Sequence, residues 1–165
     1  MRWEAGRSKI NIDVVHALFG KVERKDDKRS GVVEPGAALA RHVAAEYGTA
    51  DVFELAARAG VRLVYERWPL LTVGECEPRA GIVRVNLAAL EQAREGDERF
   101  TKQALARLII AHELGHFFDA RLNRTKRQGR TGRQMAEKIA HAFAVELLRL
   151  PSRAFEEYER FWRGL

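Results

Sequence analysis

His112 and His116 stand four residues apart, with Glu113 directly after the first, in the stretch Ala111-His112-Glu113-Leu114-Gly115-His116. On a helix, residues four apart are neighbours on one face, with about 5–6 Å between Cβ atoms. Two imidazoles so placed can each give one ring nitrogen to a single ion at the ~2.0–2.1 Å of a Zn–N bond. Glu113 is rotated about 100° from His112, as 3.6 residues per turn requires. Its carboxylate then lies beside the ion and reaches water there without being a ligand. The H-E-x-x-H pattern therefore holds two ligands and one base in a single helical turn. The competing reading is that both imidazoles fill the core face of a buried helix. An acid beside an apolar stripe, and two rings where leucine would pack better, weigh against it.

A hydrolytic zinc site requires a third protein ligand and one position left open for water. No third histidine follows at short range, where Asp119 and Asn123 stand instead. Asp119 shares the helix face but lies beyond the pair, which suits it to orienting a ligand or capping the following loop. The next predicted helix offers Glu137, His141 and Glu146. Glu137, Ala140, His141, Ala144 and Leu148 line one stripe, and its alanines would let two helices approach closely. Glu137 is the preferred ligand. His141, one turn later, is its rival, or else a partner that hydrogen-bonds the far side of a ligand and fixes its orientation. Glu146 lies about 180° from Glu137 on the helix and is expected to face solvent.

Elements that position these groups can be read from periodicity and punctuation. Apolar residues Leu105, Leu108 and Ile109 continue into His112 and His116 at i, i+3, i+4, i+7 spacing, so the segment from Arg99 to Leu122 is expected to be helical. A second long helix is expected over 133–150, stopping before Pro151, and a last one over 152–162 with Ser152 as cap. Upstream, Pro35 suits a first turn and Gly48 a C-terminal cap. Asp51 with Glu54 resembles a capping box, and Gly60 ends that short helix. Between them and the histidine helix the period changes to β-type. "VRLVYERW" and "GIVRVN" read as strands, "LLTVGE" as a third, and Pro69, Gly74, Pro78 and Gly81 as turn markers. A small antiparallel or mixed sheet follows, and the fold class is α+β. If "GIVRVN" were an exposed edge it could accept a peptide backbone; an ordinary core strand is the equal alternative. Residues 1–30 read as an N-terminal leader helix with a charged linker, expected to pack as an extra helix or to shield the site. Residues 31–165 read as one domain.

The whole composition narrows the classes. The chain has 165 residues, 46% of them hydrophobic, enough for a real core. Its apolar runs are far short of the ~20 residues that cross a bilayer, and its first residues lack the apolar centre of a signal peptide. A single cysteine, Cys76, excludes an internal disulfide framework or a cysteine-rich zinc site. A cytoplasmic protein without a membrane partner is expected. The net charge of +6 brings nucleic acid into consideration. Basic residues concentrate at 121–133 with no acid among them, which reads as a solvated loop or as a contact surface for DNA or a DNA-bound partner.

The motifs together resemble the ImmA/IrrE-type zinc metallopeptidases. That family pairs an A-H-E-[LI]-G-H helix with a helix of the form E-x-x-A-N-x-F-A-x-x-L-L-x-P. Glu137, Ala140, Phe143, Ala144, Leu147, Leu148 and Pro151 match it here, and His141 stands where asparagine is usual. The resemblance covers roughly residues 36–152. It implies a zincin-like (gluzincin-type) domain in which a three-stranded sheet packs on the H-E-x-x-H helix and a second helix bears a ligand. It also implies Zn²⁺ on His112, His116 and Glu137, with Glu113 as general base, and a protein substrate of the helix-turn-helix repressor class, cut under stress or on mobile-element induction. The alternative is a non-catalytic zinc-binding module that pairs with a transcriptional regulator. A plain DNA-binding protein ranks last, because no recognition-helix signature is present.

Overall fold

In the computed structural model, residues 34–93, 97–122, 129–151 and 153–163 are described. The leader and linker expected at 1–30, and the Ser152 cap, lie outside the described residues. Six helices and three strands follow in order: α1 (Pro35–Tyr47), α2 (Val52–Arg58), β1 (Arg62–Glu66), β2 (Gly74–Glu77), β3 (Ile82–Asn86), α3 (Leu87–Leu90), α4 (Lys102–Leu122), α5 (Gly129–Leu147) and α6 (Ala154–Arg163). The class is α+β, as expected.

The helix signals act locally. Pro35 opens α1, and Gly48 closes it in the left-handed conformation at φ 65°. Asp51 caps α2 by accepting from the amides of Phe53 and Glu54. The capping box is modified: the Asp51 amide donates to Thr49 Oγ1, and the Thr49 hydroxyl donates to Glu54 Oε2. The Asp51 carboxylate also pairs with Arg107 at 2.9 Å, tying α2 to α4. The segment before α4 is not continuous helix. A 3₁₀ turn at Glu98–Phe100 precedes it, and Thr101 Oγ1 accepts from the Ala104 amide at the start of α4.

In the sheet the strand order is β1-β3-β2, with β1 parallel and β2 antiparallel to β3. The mixed sheet is therefore present, but "GIVRVN" is its centre and not an edge, so β-augmentation on β3 is excluded by its two partners. The third strand begins only at Gly74. Leu70 to Val73 belong to a loop that the buried Asn86 side chain organises: its amide nitrogen donates to the carbonyls of Trp68 and Thr72, both at 3.0 Å. Its oxygen accepts from the Ala88 amide and caps α3. With its donors and acceptor used, a polar side chain at zero exposure is satisfied.

α4 runs through the middle, packed on β2, β3 and α5. Leu105, Ile110, Leu114 and Phe118 on it are fully or almost fully buried, against Val43, Leu55, Val85 and Phe143 from other elements. α5 begins at Gly129, four residues earlier than expected, so Arg130 and Arg133 are helical and exposed. Residues 123–128 of the basic stretch lie outside the described residues. α5 ends at Leu147 in a Schellman turn: Leu150 donates to the Val145 carbonyl and Arg149 to that of Glu146, with Arg149 left-handed at φ 53°. Among the described residues, no helix is long and apolar enough to cross a membrane.

Candidate metal centre

Two helices bring the predicted residues together. His112 and His116 lie on one face of α4, and Glu137 reaches them from α5. The helices meet where neither has bulk. A Cβ on Gly115 would fall 2.8 Å from the Ala140 Cα and 3.2 Å from the Ala140 carbonyl oxygen, so this approach requires glycine. The glycine of the H-E-L-G-H stretch thus sets the helix spacing on which the site depends.

Four donor atoms of three residues converge. His112 Nε2 and His116 Nε2 are 3.1 Å apart, and they lie 3.3 and 3.4 Å from the two carboxylate oxygens of Glu137. A tetrahedral ion with bonds of ~2.0–2.1 Å has ligand–ligand edges of about 3.3–3.4 Å; the observed separations are close to that value pair by pair, with each imidazole facing its own oxygen of Glu137. Hydrogen bonding constrains the protons of this group. Two ring nitrogens at that separation cannot both point a hydrogen at each other, and with neither protonated their lone pairs would face a carboxylate. The arrangement is held either by the two ring N–H groups donating to the Glu137 carboxylate or by a metal ion shared among the three residues. Glu137 responds accordingly: its hydrogen bonds to His112 and His116 hold its carboxyl well below the usual carboxylate range, although its side chain is half exposed. For His116 burial opposes charging, but the bond to Glu137 and the charges of Glu113, Glu137 and Asp119 outweigh it and raise its proton affinity.

A second set of donors overlaps the first. Ligand atoms of His112, Glu137 and His141 all lie within 4.8 Å of one another, close enough that this group could hold a metal ion. The two sets share His112 and Glu137. The His112–His116–Glu137 set has pair separations of 3.1 to 3.4 Å, and it is the set the helix spacing predicts. Asp119 is buried at 5% exposure on the helix turn after His116, where its charge acts on that imidazole. Glu146 does not simply face solvent: it forms an ion pair with Arg41 of α1 at 2.9 Å.

Glu113 is rotated away from the triangle and buried at 6% exposure. Burial pushes its carboxyl above the usual range; the imidazoles of His112 and His116 pull the other way, and the charges of Glu137 and Glu75 add to the rise. The wall over it is β2, whose inward positions are Gly74 and Cys76. A Cβ on Gly74 would lie 2.8 Å from Glu113 Oε1 and 2.6 Å from Ile109 Cγ2. Sequence reasoning took Gly74 for a turn marker and missed this contact. The available signal was a glycine inside a strand-like run, which indicates close approach of another group. Cys76, beside it, has its thiol pushed up to about 12 by burial and by the charges of Glu113 and Glu77.

Comparison with family models, with curated proteins and with solved structures gave no match to this chain.

Proposed function

We propose that the protein is a zinc-dependent endopeptidase. One observation carries the reading: a buried carboxyl, Glu113, sits one residue from a cluster of His112, His116 and Glu137 whose pair separations of 3.1 to 3.4 Å are close to the edges of a tetrahedral zinc shell. A structural zinc site has no use for an uncoordinated acid beside it, whereas hydrolysis needs a base there. His112, His116 and Glu137 would hold the ion, leaving a fourth position. When bound, the ion supplies Lewis acidity, polarising a peptide carbonyl and lowering the pKa of water toward ~7. Glu113, with its raised proton affinity, takes the proton of the attacking water and returns it to the leaving amine. Gly74 gives its carboxylate the room to do so, and β2, an outer strand of the sheet, walls the site. The resemblance of the two helix motifs to ImmA/IrrE-type peptidases, and with it a zincin-like fold, points to a helix-turn-helix repressor as substrate. That places the enzyme in the cytoplasm, where its positive charge would favour a substrate bound to DNA.

A second reading, a non-catalytic zinc module pairing with a regulator, is favoured by one observation: His141 could complete a shell of four protein donors. The two are separated by incubating zinc-loaded wild type and Glu113→Gln with candidate helix-turn-helix repressors and following cleavage by mass spectrometry. Cleavage by wild type, with a loss of 10²-fold or more in the variant while zinc is retained, is expected. Equal cleavage by both removes Glu113 from the chemistry. Zinc bound by both with no cleavage by either supports the module.

A further inference from the structure

We infer that His141 is a fourth protein ligand that closes the resting centre, so that peptide hydrolysis requires its release. This rests on the metal-centre reading above. Glu137 and His141 are one turn apart on α5, the same i, i+4 relation that His112 and His116 have on α4. The two pairs give two donor sets that share His112 and Glu137, one with His116 and one with His141. The ring of His141 lies 4.9 Å from that of His112, centroid to centroid, and the ring of His116 lies 4.7 Å from it. His112 is thus flanked by two imidazoles at nearly equal range.

The distances separate the roles of these two rings. His116 already has its nitrogen at coordination spacing from both His112 and Glu137. The donor atoms of His112, Glu137 and His141 lie within 4.8 Å, against the ~3.3–3.4 Å edge of a tetrahedral shell. The difference is at most about 1.5 Å, a displacement that rotation about the Cα–Cβ bond gives an imidazole. His141 is only partly buried. With it in place the donors are three imidazoles and one carboxylate, and no position remains for water. With it swung out the centre is a three-ligand site with one open position. No other donor on α5 reaches this position: Glu146 is turned away and engaged with Arg41.

Zinc X-ray absorption on the full-length protein counts imidazoles directly, and azide titration of the Co²⁺-substituted protein, read in its visible spectrum, reports an open position. Wild type is expected to show three imidazoles and no response to azide. His141→Ala is expected to show two imidazoles, an azide response, at least 10-fold weaker zinc binding, and faster peptide cleavage than wild type. His141→Asn, which keeps a polar group there, should behave like the alanine variant. Two imidazoles in wild type, or an azide response in wild type, overturns the fourth ligand. Cleavage by His141→Ala no faster than by wild type overturns the gate. A wild type that binds no zinc, or whose zinc survives substitution of both His112 and His116 by alanine, overturns the centre itself, a different failure from the other two.

Discussion

Glu113 shows what one side chain gains from its surroundings. A carboxylate in water is a weak base near neutrality; burial against β2 raises its affinity for a proton, while the imidazoles beside it keep the charged form accessible. The same wall acts on Cys76, the chain's one cysteine. Burial, with the charges of Glu113 and Glu77 behind it, pushes the thiol from 9.0 up to about 12. A thiol with so little thiolate is a poor nucleophile. Iodoacetamide at pH 8 should therefore label the folded protein at least 10-fold more slowly than the denatured one, read by intact mass; equal rates would contradict the placement of Cys76 under α4. The linkage sign follows from a raised acid pKa. Below about pH 9 neither folded nor unfolded thiol is ionised and the stability is intact. Above it the unfolded chain releases its proton first, so stability falls as pH rises through 9 toward 12. Cys76→Ser, which cannot titrate there, should lose less of its unfolding midpoint than wild type over that range.

Among the elements, α4 and α5 carry the site, and their spacing is its most sensitive dimension. The ligand pair and its base were legible in the sequence because all three fall within one helical turn, where 3.6-residue geometry fixes their relation. Glu137 was legible by its stripe with Ala140 and Ala144, since small residues mark a close helix contact. The role of Gly115 was not legible, because what a glycine avoids touching depends on a distant segment; at Gly74 the strand-like run signalled a close approach but not which group makes it. The same limit applies to β3: its apolar alternation predicts a strand, but whether it is central or an edge is decided by which neighbours pair with it. Helix ends shifted by a few residues because Gly129 can start α5 and Arg149 accepts a left-handed turn. Gly115→Ala tests the spacing. Its methyl would sit 2.8 Å from backbone at Ala140, which cannot yield as a side-chain tip can, so the helices must separate. The donors then exceed coordination spacing, and zinc affinity measured by competition with a chromophoric chelator is expected to fall by 10-fold or more with the fold retained by circular dichroism. Unchanged affinity would show that α5 does not set the ligand distances. Overpacking of this kind costs about 1–3 kcal/mol in stability.

Over the whole molecule, the site joins segments that meet only in the folded state. The unfolded chain scatters His112, His116 and Glu137, whereas folding presents them at 3.1 to 3.4 Å from one another. An ion that binds the folded chain alone adds RT ln(1 + [L]/Kd) to stability, about 2.7 kcal/mol at a 100-fold excess over Kd. For a chain of this size, 1 kcal/mol moves Tm by roughly 2–4 °C, so saturating zinc should raise it by about 5–10 °C. A chelator in excess should return Tm to its zinc-free value, because the core of α4, the sheet and α1 is complete without the ion. Glu137→Ala separates ligation from packing. Its side chain is 56% exposed, so its loss removes little apolar burial and the zinc-free Tm should move by less than the zinc increment does. The increment itself should largely vanish. Scanning calorimetry on both proteins, with and without zinc, decides the matter: an increment that persists in the variant would mean that zinc stabilises through other residues, and no increment in wild type would mean that the group is held by hydrogen bonds and not by a metal ion.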